Sequence, residues 1–304
     1  MWFIFALLVM LFWGTADLFY KKSANEEEKY THLKTVVAVG LVMGLHAIFV
    51  LLTNDFNYDF RNILVYLPVS SMYILSMVIG YFGLRYLELS ISSPVQNTSG
   101  IVVSILCFFI LKESIDPVSA IAIGIIAAGL IMLGILEKKA NSSEKAEDRK
   151  YKIGFVAFLM PVFYCIIDSL GTFFDAWYLD IQSSPLLNCV EDNIELVANT
   201  SYELTFLIVG VICLIFLIFK KSKTTKETVK NNLLAAIFET AGQFFYVYAL
   251  SGNAIIAAPM VASYAVVSMI LSRIFLKEKL TKKEYFALAI IIVGIIILGI
   301  MEEV

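Results

Sequence analysis

Residues 81–137 and 246–302 are one stretch written twice. Laid over each other without a gap, at an offset of 165, they agree at 18 of 57 positions. Tyr81 falls on Tyr246, Pro94 on Pro259, Leu111-Lys112-Glu113 on Leu276-Lys277-Glu278, Gly129 on Gly294, Gly134 on Gly299 and Glu137 on Glu302. A duplication of this length means two copies of one module, and function has to be sought between the copies.

Polarity decides what kind of module this is. The chain is 60% hydrophobic and 16% charged, against about 45–50% and about 25% in soluble domains. Ten apolar segments can be drawn, at 2–20, 35–53, 63–84, 89–111, 117–136, 153–178, 203–219, 231–250, 253–276 and 285–301. A helix crosses the hydrocarbon core with about 17–25 residues, and only a helix closes its backbone hydrogen bonds within one such segment. The polar linker 137–152 leaves five segments on either side, and an odd number per copy makes the second copy cross in the opposite direction. The expected fold is an all-α polytopic membrane protein of ten transmembrane helices, arranged as two inverted five-helix repeats. The first repeat is 1–136, the cytoplasmic linker 137–152 and the second repeat 153–304.

Loop charge gives an orientation. Of the 23 Lys and Arg residues, all but Arg61 and Lys112 fall on one side of this arrangement, which is therefore the cytoplasmic side of a plasma (inner) membrane. Both termini and the acidic loop 179–202 then face outward, and Asn199-Thr200-Ser201 in that loop fits a glycosylation acceptor. The first segment lacks the basic n-region of a signal peptide. Cys107, Cys165, Cys189 and Cys213 form neither a disulfide framework nor a metal-ligand spacing. No cofactor is expected. No basic tract or recognition module points to nucleic acid. One chain carries both copies, so a monomer suffices and a homodimer is compatible.

Ionisable groups in the hydrocarbon core cost several kcal/mol, about 2.5–3.5 even on insertion scales, and persist where they are paired, wetted or functional. Asp17, Asp168, Glu239 and His46 stand out. Trp13 precedes Asp17 by four residues and Tyr164 precedes Asp168 by four, so in each segment ring and carboxylate share a helix face. Glu239, Gln243 and Tyr246 form a polar stripe at i, i+4 and i+7. By the offset Glu239 falls on Ile74, beside Tyr73, so a cavity built from these helices is not charge-symmetric. Asp175 reads as interfacial and structural, and His46, a lone histidine in mid-segment, as a satisfied structural histidine, with a proton relay second. The Lys-Glu pairs read as turn charges. Pro94 and Pro259 read as helix breaks, with polar neighbours such as Asn97, Ser263 and Tyr264. No catalytic constellation or nucleotide loop is present, so neither an enzyme nor an ATP-driven pump is indicated.

The order of these features resembles the drug/metabolite transporter superfamily, specifically its ten-helix EamA-type members. An aromatic-Gly segment (Trp13-Gly14) opens the chain, and in both copies a Pro-containing helix ends in Leu-Lys-Glu before a Gly-bearing helix. Asp168-Ser169-Leu170-Gly171-Thr172 is also similar to the Glu-x-x-Gly-Thr segment of the four-helix small multidrug resistance relatives, whose Glu binds protons or cationic substrate. The resemblance implies a secondary transporter with a central cavity lined by segments 1, 3, 4, 6, 8 and 9, with segments 5 and 10 as scaffold.

The expected function is therefore alternating-access transport of a small organic solute, coupled to protons or another gradient. The candidate binding and coupling residues are Asp168, Glu239, Asp17, Trp13, Tyr164, Gln243, Tyr246, Asn97, Tyr73, Tyr81, Ser263 and Tyr264. Carboxylates and ring faces suit amines and cations. Amino acids and sugars can also bond to them, whereas a phosphate ester would find no deep Lys or Arg. An uncoupled channel or a lipid-translocating scaffold is the alternative class. A non-transporting membrane sensor is a weaker third.

Overall fold

A chain inside a bilayer has no water to bond to, and helices satisfy their own backbone groups within one segment. In the computed structural model every described regular element is helical. Residues 1–24, 28–54, 57–86, 89–144, 154–180 and 186–302 are described. The helices are α1 (Trp2–Ser23), α2 (Thr31–Thr53), α3 (Asn62–Val65), α4 (Leu67–Gly83), α5 (Leu89–Gln96), α6 (Ser99–Leu106), α7 (Pro117–Glu144), α8 (Gly154–Leu179), α9 (Ile194–Phe219), α10 (Lys226–Ala262), α11 (Ala265–Leu271) and α12 (Lys282–Glu302). Among the described residues, 7 runs are long and apolar enough to cross a membrane. The longest, Lys226–Leu276, takes in α10 and α11, while Leu67–Gly83 and Ser99–Leu111 are apolar but shorter. The expected linker 137–152 lies outside the described residues from 145 onward, and α7 occupies its first part.

The most extensive helix pairs all join an early helix to a late one: α1 with α10, α2 with α9, α7 with α12 and α4 with α8. The α1–α10 seam is an aromatic ladder. Phe5 stacks on Phe245 at 5.9 Å, Phe245 on Phe12 at 5.9 Å, Phe12 lies against Phe238 at 6.3 Å, and Phe238 stacks on Phe19 at 5.8 Å. The rings recur at steps of seven on both helices, and ascending numbers on α1 meet descending ones on α10, so the pair is antiparallel. Seven residues are close to two turns, which keeps all five rings on one seam.

Residues matched by the duplication occupy matched conformations. Cys107–Leu111 and Ser272–Leu276 both wind as π-helical turns. Each is closed by a lysine in the left-handed region, Lys112 at φ 60° and Lys277 at φ 57°. The N–H groups of Glu113 and Glu278 reach back 3.4 Å to the carbonyls of Cys107 and Ser272. Leu-Lys-Glu is thus a helix terminator, not only a pair of turn charges. Gly129 and Gly294 are also reciprocal. A Cβ on Gly129 would lie 2.4 Å from Ile291 Cγ1, and one on Gly294 would lie 2.6 Å from Ile126 Cγ1. Each glycine receives the isoleucine one turn before its counterpart, which lets α7 and α12 approach closely.

Several expectations change. The prolines do not break their helices. α10 bends earlier, at extended Asn253 (φ −171°, ψ 85°), and runs through Pro259 to Ala262. The chain turns at 97–98 and 263–264 instead. The carbonyl that Pro259 leaves without an N–H partner, Ile255 O, accepts from Ser104 Oγ at 2.6 Å, and Glu113 Oε2 accepts from Ile255 N at 3.2 Å. The seventh apolar segment starts at Ile194, not 203, so Asn199-Thr200-Ser201 lies inside α9 and not in an outer loop. Asn199 is 2% exposed and donates to Phe244 O at 3.2 Å, which leaves no accessible glycosylation acceptor there. The polar run folds as helix because Thr200, Ser201 and Thr205 bond back to carbonyls one turn earlier.

The reciprocal glycines give a test. Gly294→Val forces overlap with Ile126, and overpacking of this kind costs about 1–3 kcal/mol. A lowered melting temperature in detergent is expected, partly restored by adding Ile126→Ala. A Gly294→Val protein as stable as the wild type, or no rescue by the second change, contradicts the packing.

Candidate functional site

The ladder places the polar sides of α1 and α10 face to face. Trp13, Asp17 and Tyr20 descend α1 at i, i+4 and i+7, and Glu239, Gln243 and Tyr246 occupy α10 at the same spacing. All six line a central cavity that α4, α5, α6, α8 and α9 complete. Gly242 makes the approach possible, since a Cβ there would sit 2.3 Å from the Trp13 ring. Trp13 Nε1 donates to Glu239 O at 3.4 Å. Its ring lies 4.7 Å from that of Tyr246 and meets Tyr264 edge-on at 5.8 Å.

Asp17 Oδ2 accepts from Ser93 Oγ at 3.1 Å and from Ser268 Oγ on α11 at 2.7 Å. Asp168 on α8 accepts from Ser99 Oγ on α6 at 2.8 Å and from Ser76 Oγ on α4 at 3.4 Å. Asp17 near the start of the chain is thus held by a serine on α11, and Asp168 on α8 by a serine on α6. Glu239 Oε2 accepts from Tyr20 Oη at 3.1 Å, and Tyr20 Oη from Tyr81 Oη at 3.0 Å. Farther along α8 lies Asp175, bonded by Tyr66 and by Tyr73 Oη at 3.2 Å. Tyr73 continues to Tyr246 at 3.4 Å, and Tyr246 to Thr172 Oγ1 at 2.8 Å. These four carboxylates accept from hydroxyls of Ser and Tyr. No Lys, Arg or His stands among the described residues of the cavity wall. The wall is therefore acidic, aromatic and rich in exchangeable protons, with ring faces beside the carboxyl groups. It leaves about 70 Å³ for the centres of water-sized molecules, room for a few waters at about 10–15 Å³ each.

Eleven of the twelve candidate residues meet at this wall: Asp168, Glu239, Asp17, Trp13, Tyr164, Gln243, Tyr246, Asn97, Tyr73, Tyr81 and Tyr264. Ser263 does not. It is fully buried, and its hydroxyl is spent on Pro259 O at 3.1 Å. Asp175, four residues before the end of α8, is fully buried among these tyrosines. His46 is not alone. Its Nδ1 lies 2.8 and 2.9 Å from the two oxygens of Glu203, away from the cavity wall. Glu203 gives no signal in the sequence because it stands at the edge of the apolar run 203–219. Tyr20, Thr172 and Tyr202 also line the cavity and were not foreseen. The first two had a signal, since they extend the Trp13/Asp17 and Tyr164/Asp168 faces by one turn each. Among the described residues no group of His, Cys, Asp and Glu could hold a metal ion.

Comparison with known proteins agrees with this geometry. A model of the EamA-like transporter family matches residues 1–135 and 198–300. An uncharacterized protein of Methanocaldococcus jannaschii is 31% identical over 146 residues, which are 47% of this chain and 92% of that one. A solved crystal structure superposes with a TM-score of 0.69 at 14% identity, over 99% of this chain and 96% of its own, and so shares the fold.

The Asp175 network predicts a stability effect. Tyr66→Phe removes one donor from a buried carboxylate and is expected to cost about 1–3 kcal/mol, read as a lower unfolding midpoint. Combined with Asp175→Asn the loss should be smaller than the two single losses added, because both touch one bond. Strict additivity contradicts the bond.

Proposed function

Because the chain belongs to the EamA-like transporter family, we propose that it is a secondary active transporter that carries a small organic solute through the cavity between α1, α4, α8 and α10. Amines and other cations are the preferred class, followed by neutral metabolites such as amino acids or sugars. The observation that carries this reading is a wall holding Asp17, Asp168 and Glu239 among aromatic rings, with no basic side chain among its described residues. A cationic group gains from both the acids and the ring faces, and a phosphate ester gains from neither.

In this reading the chain makes ten crossings as two inverted five-helix repeats, 1–136 and 153–304, joined by a cytoplasmic linker at 137–152. Both termini lie outside a plasma (inner) membrane. The equivalent left-handed lysines and the reciprocal glycines support the repeat. So does the relative about half as long as this chain, which aligns over nearly its whole length. The small free volume supports a solute-gated carrier over an open channel, because a metabolite fits only when the helices part. The two ends of the cavity carry comparable closures, Glu239 with Tyr20 and Tyr81 at one and Asp175 with Tyr66 and Tyr73 at the other. Alternating access opens one while the other stays bonded. Protons couple to the cycle at the acids that also meet the solute, since a carboxylate in a dry wall can hold either a proton or a cation.

Reconstituted protein tests the coupling. Asp168→Asn and Glu239→Gln are each expected to cut pH-gradient-driven uptake of an amine tracer at least about tenfold, about 1.4 kcal/mol or more, with the protein still folded. Both variants driving wild-type uptake sinks the coupling. Wild-type protein that carries no amine, amino acid or sugar in counterflow sinks the transporter reading itself.

A further inference from the structure

A second concavity lies on the outside of the bundle, where α2, α9 and the start of α10 meet. Its floor and sides are apolar, formed by Val37 and Leu41 of α2, Leu214 and Ile218 of α9, and Leu233 of α10. It leaves about 300 Å³ for water-sized centres. Leu41, Ile218 and Leu233 are exposed along it at 37%, 65% and 42%. The mouth is different: Lys221, Ser222 and Thr224 close it.

The mouth is also where positive charge gathers. Between Phe219 and Asn231 stand Lys220, Lys221, Lys223, Lys226 and Lys230, against Glu227 alone. Lys34, at the inner edge, is committed to Glu28 Oε2 at 2.5 Å and to Lys223 O. No described carboxylate forms an ion pair with Lys221 or Lys223. Lys221 sits in the left-handed region at φ 49°. There it closes α9, with its own N–H on Ile218 O at 3.0 Å and that of Ser222 on Leu217 O at 3.1 Å. Glycine is the usual residue at such a cap, so a lysine there gives up some stability for a side chain at the mouth. The N-terminus of α10, capped by Thr225, adds a partial positive charge beside Thr224.

An apolar slot that runs into the bilayer, ending in hydroxyls and in lysines that no described carboxylate pairs, has the chemistry of one ligand class. We propose that this groove binds a single anionic phospholipid, with an acyl chain between α2, α9 and α10 and the phosphate against Lys221, Ser222 and Thr224. A zwitterionic lipid can fill the slot but adds a positive group where the lysines already stand. The third wall, α10, carries Glu239 six residues beyond Leu233, so the bound lipid braces the helix that supplies an acid to the central cavity.

The test uses the full chain in neutral detergent, with phosphatidylglycerol, phosphatidylcholine of the same acyl chains, and inorganic phosphate as probes. Native mass spectrometry and thermal unfolding read binding. One phosphatidylglycerol is expected to be retained at least about tenfold more tightly than phosphatidylcholine, with a raised melting temperature. The preference should vanish in Lys221→Gly/Lys223→Gln, a pair chosen because glycine relieves the left-handed cap and leaves the fold intact. Leu41→Trp, on the lip of the slot, should weaken both lipids while leaving the lipid-free melting temperature unchanged. Equal retention of the two lipids, an unchanged preference in the lysine variant, unchanged binding in Leu41→Trp, or the full thermal shift from phosphate alone would each overturn the proposal.

Discussion

The antiparallel contact of α1 with α10 is the one on which the cavity depends. An aromatic ladder with a seven-residue step fixes both the rotation and the register of two helices more than two hundred residues apart in sequence. Once Phe5, Phe12 and Phe19 interleave with Phe238 and Phe245, Trp13, Asp17 and Tyr20 have to face Glu239, Gln243 and Tyr246. Aromatic pairs contribute about 0.5–1.5 kcal/mol each beyond their buried area. In a bilayer, where apolar surface alone gives no preference for helix over lipid, that geometric term matters more than in water. The α4–α8 pair completes the wall from the other side, bringing Tyr73 to Thr172 and Asp175.

What the seam assembles is a set of carboxylates answered by hydroxyls. A buried ion pair would neutralise each acid permanently and would be costly to break. Serine and tyrosine donors satisfy the oxygens without supplying charge, so the acids stay available to a proton or a cation. The contrast lies within the same chain. His46 and Glu203, on the α2–α9 pair, form a close contact between ionisable groups outside the cavity wall, where a fixed partner holds the helices together.

The all-helical character, the duplication and most of the residues of the cavity wall were legible in the sequence, because each rests on local pattern, whereas the number of crossings was not. Polar groups at i, i+4 and i+7 in an apolar helix leave few readings, and Glu239, Gln243 and Tyr246 were visible for that reason. The failures share another cause. Ser263 was chosen for its neighbours, and its hydroxyl turned out to be used by the carbonyl of Pro259. Asp175 has no partner within its own helix, and only the fold shows Tyr66 and Tyr73 reaching it. Asn199 was placed in a loop because a run of Asn, Thr, Ser and Glu lowers hydropathy, yet those side chains bond within α9. Prolines 94 and 259 marked the right helices but not the break, since Ser104 supplies the donor that Pro259 withholds. Bonds between distant helices leave no trace in a window of eighteen residues.

The ladder also sets a timetable. Tyr20 and its acceptor Glu239 are 219 residues apart, and a ribosome adds about 5–20 residues per second. The first helix therefore spends roughly 10–40 s of synthesis before its partner exists. Through that interval Asp17 has no Ser268 and Trp13 no Tyr246, and three phenylalanines line a seam with nothing opposite. The cavity cannot close until α10 and α11 have followed, although α1 supplies three of its wall residues long before them.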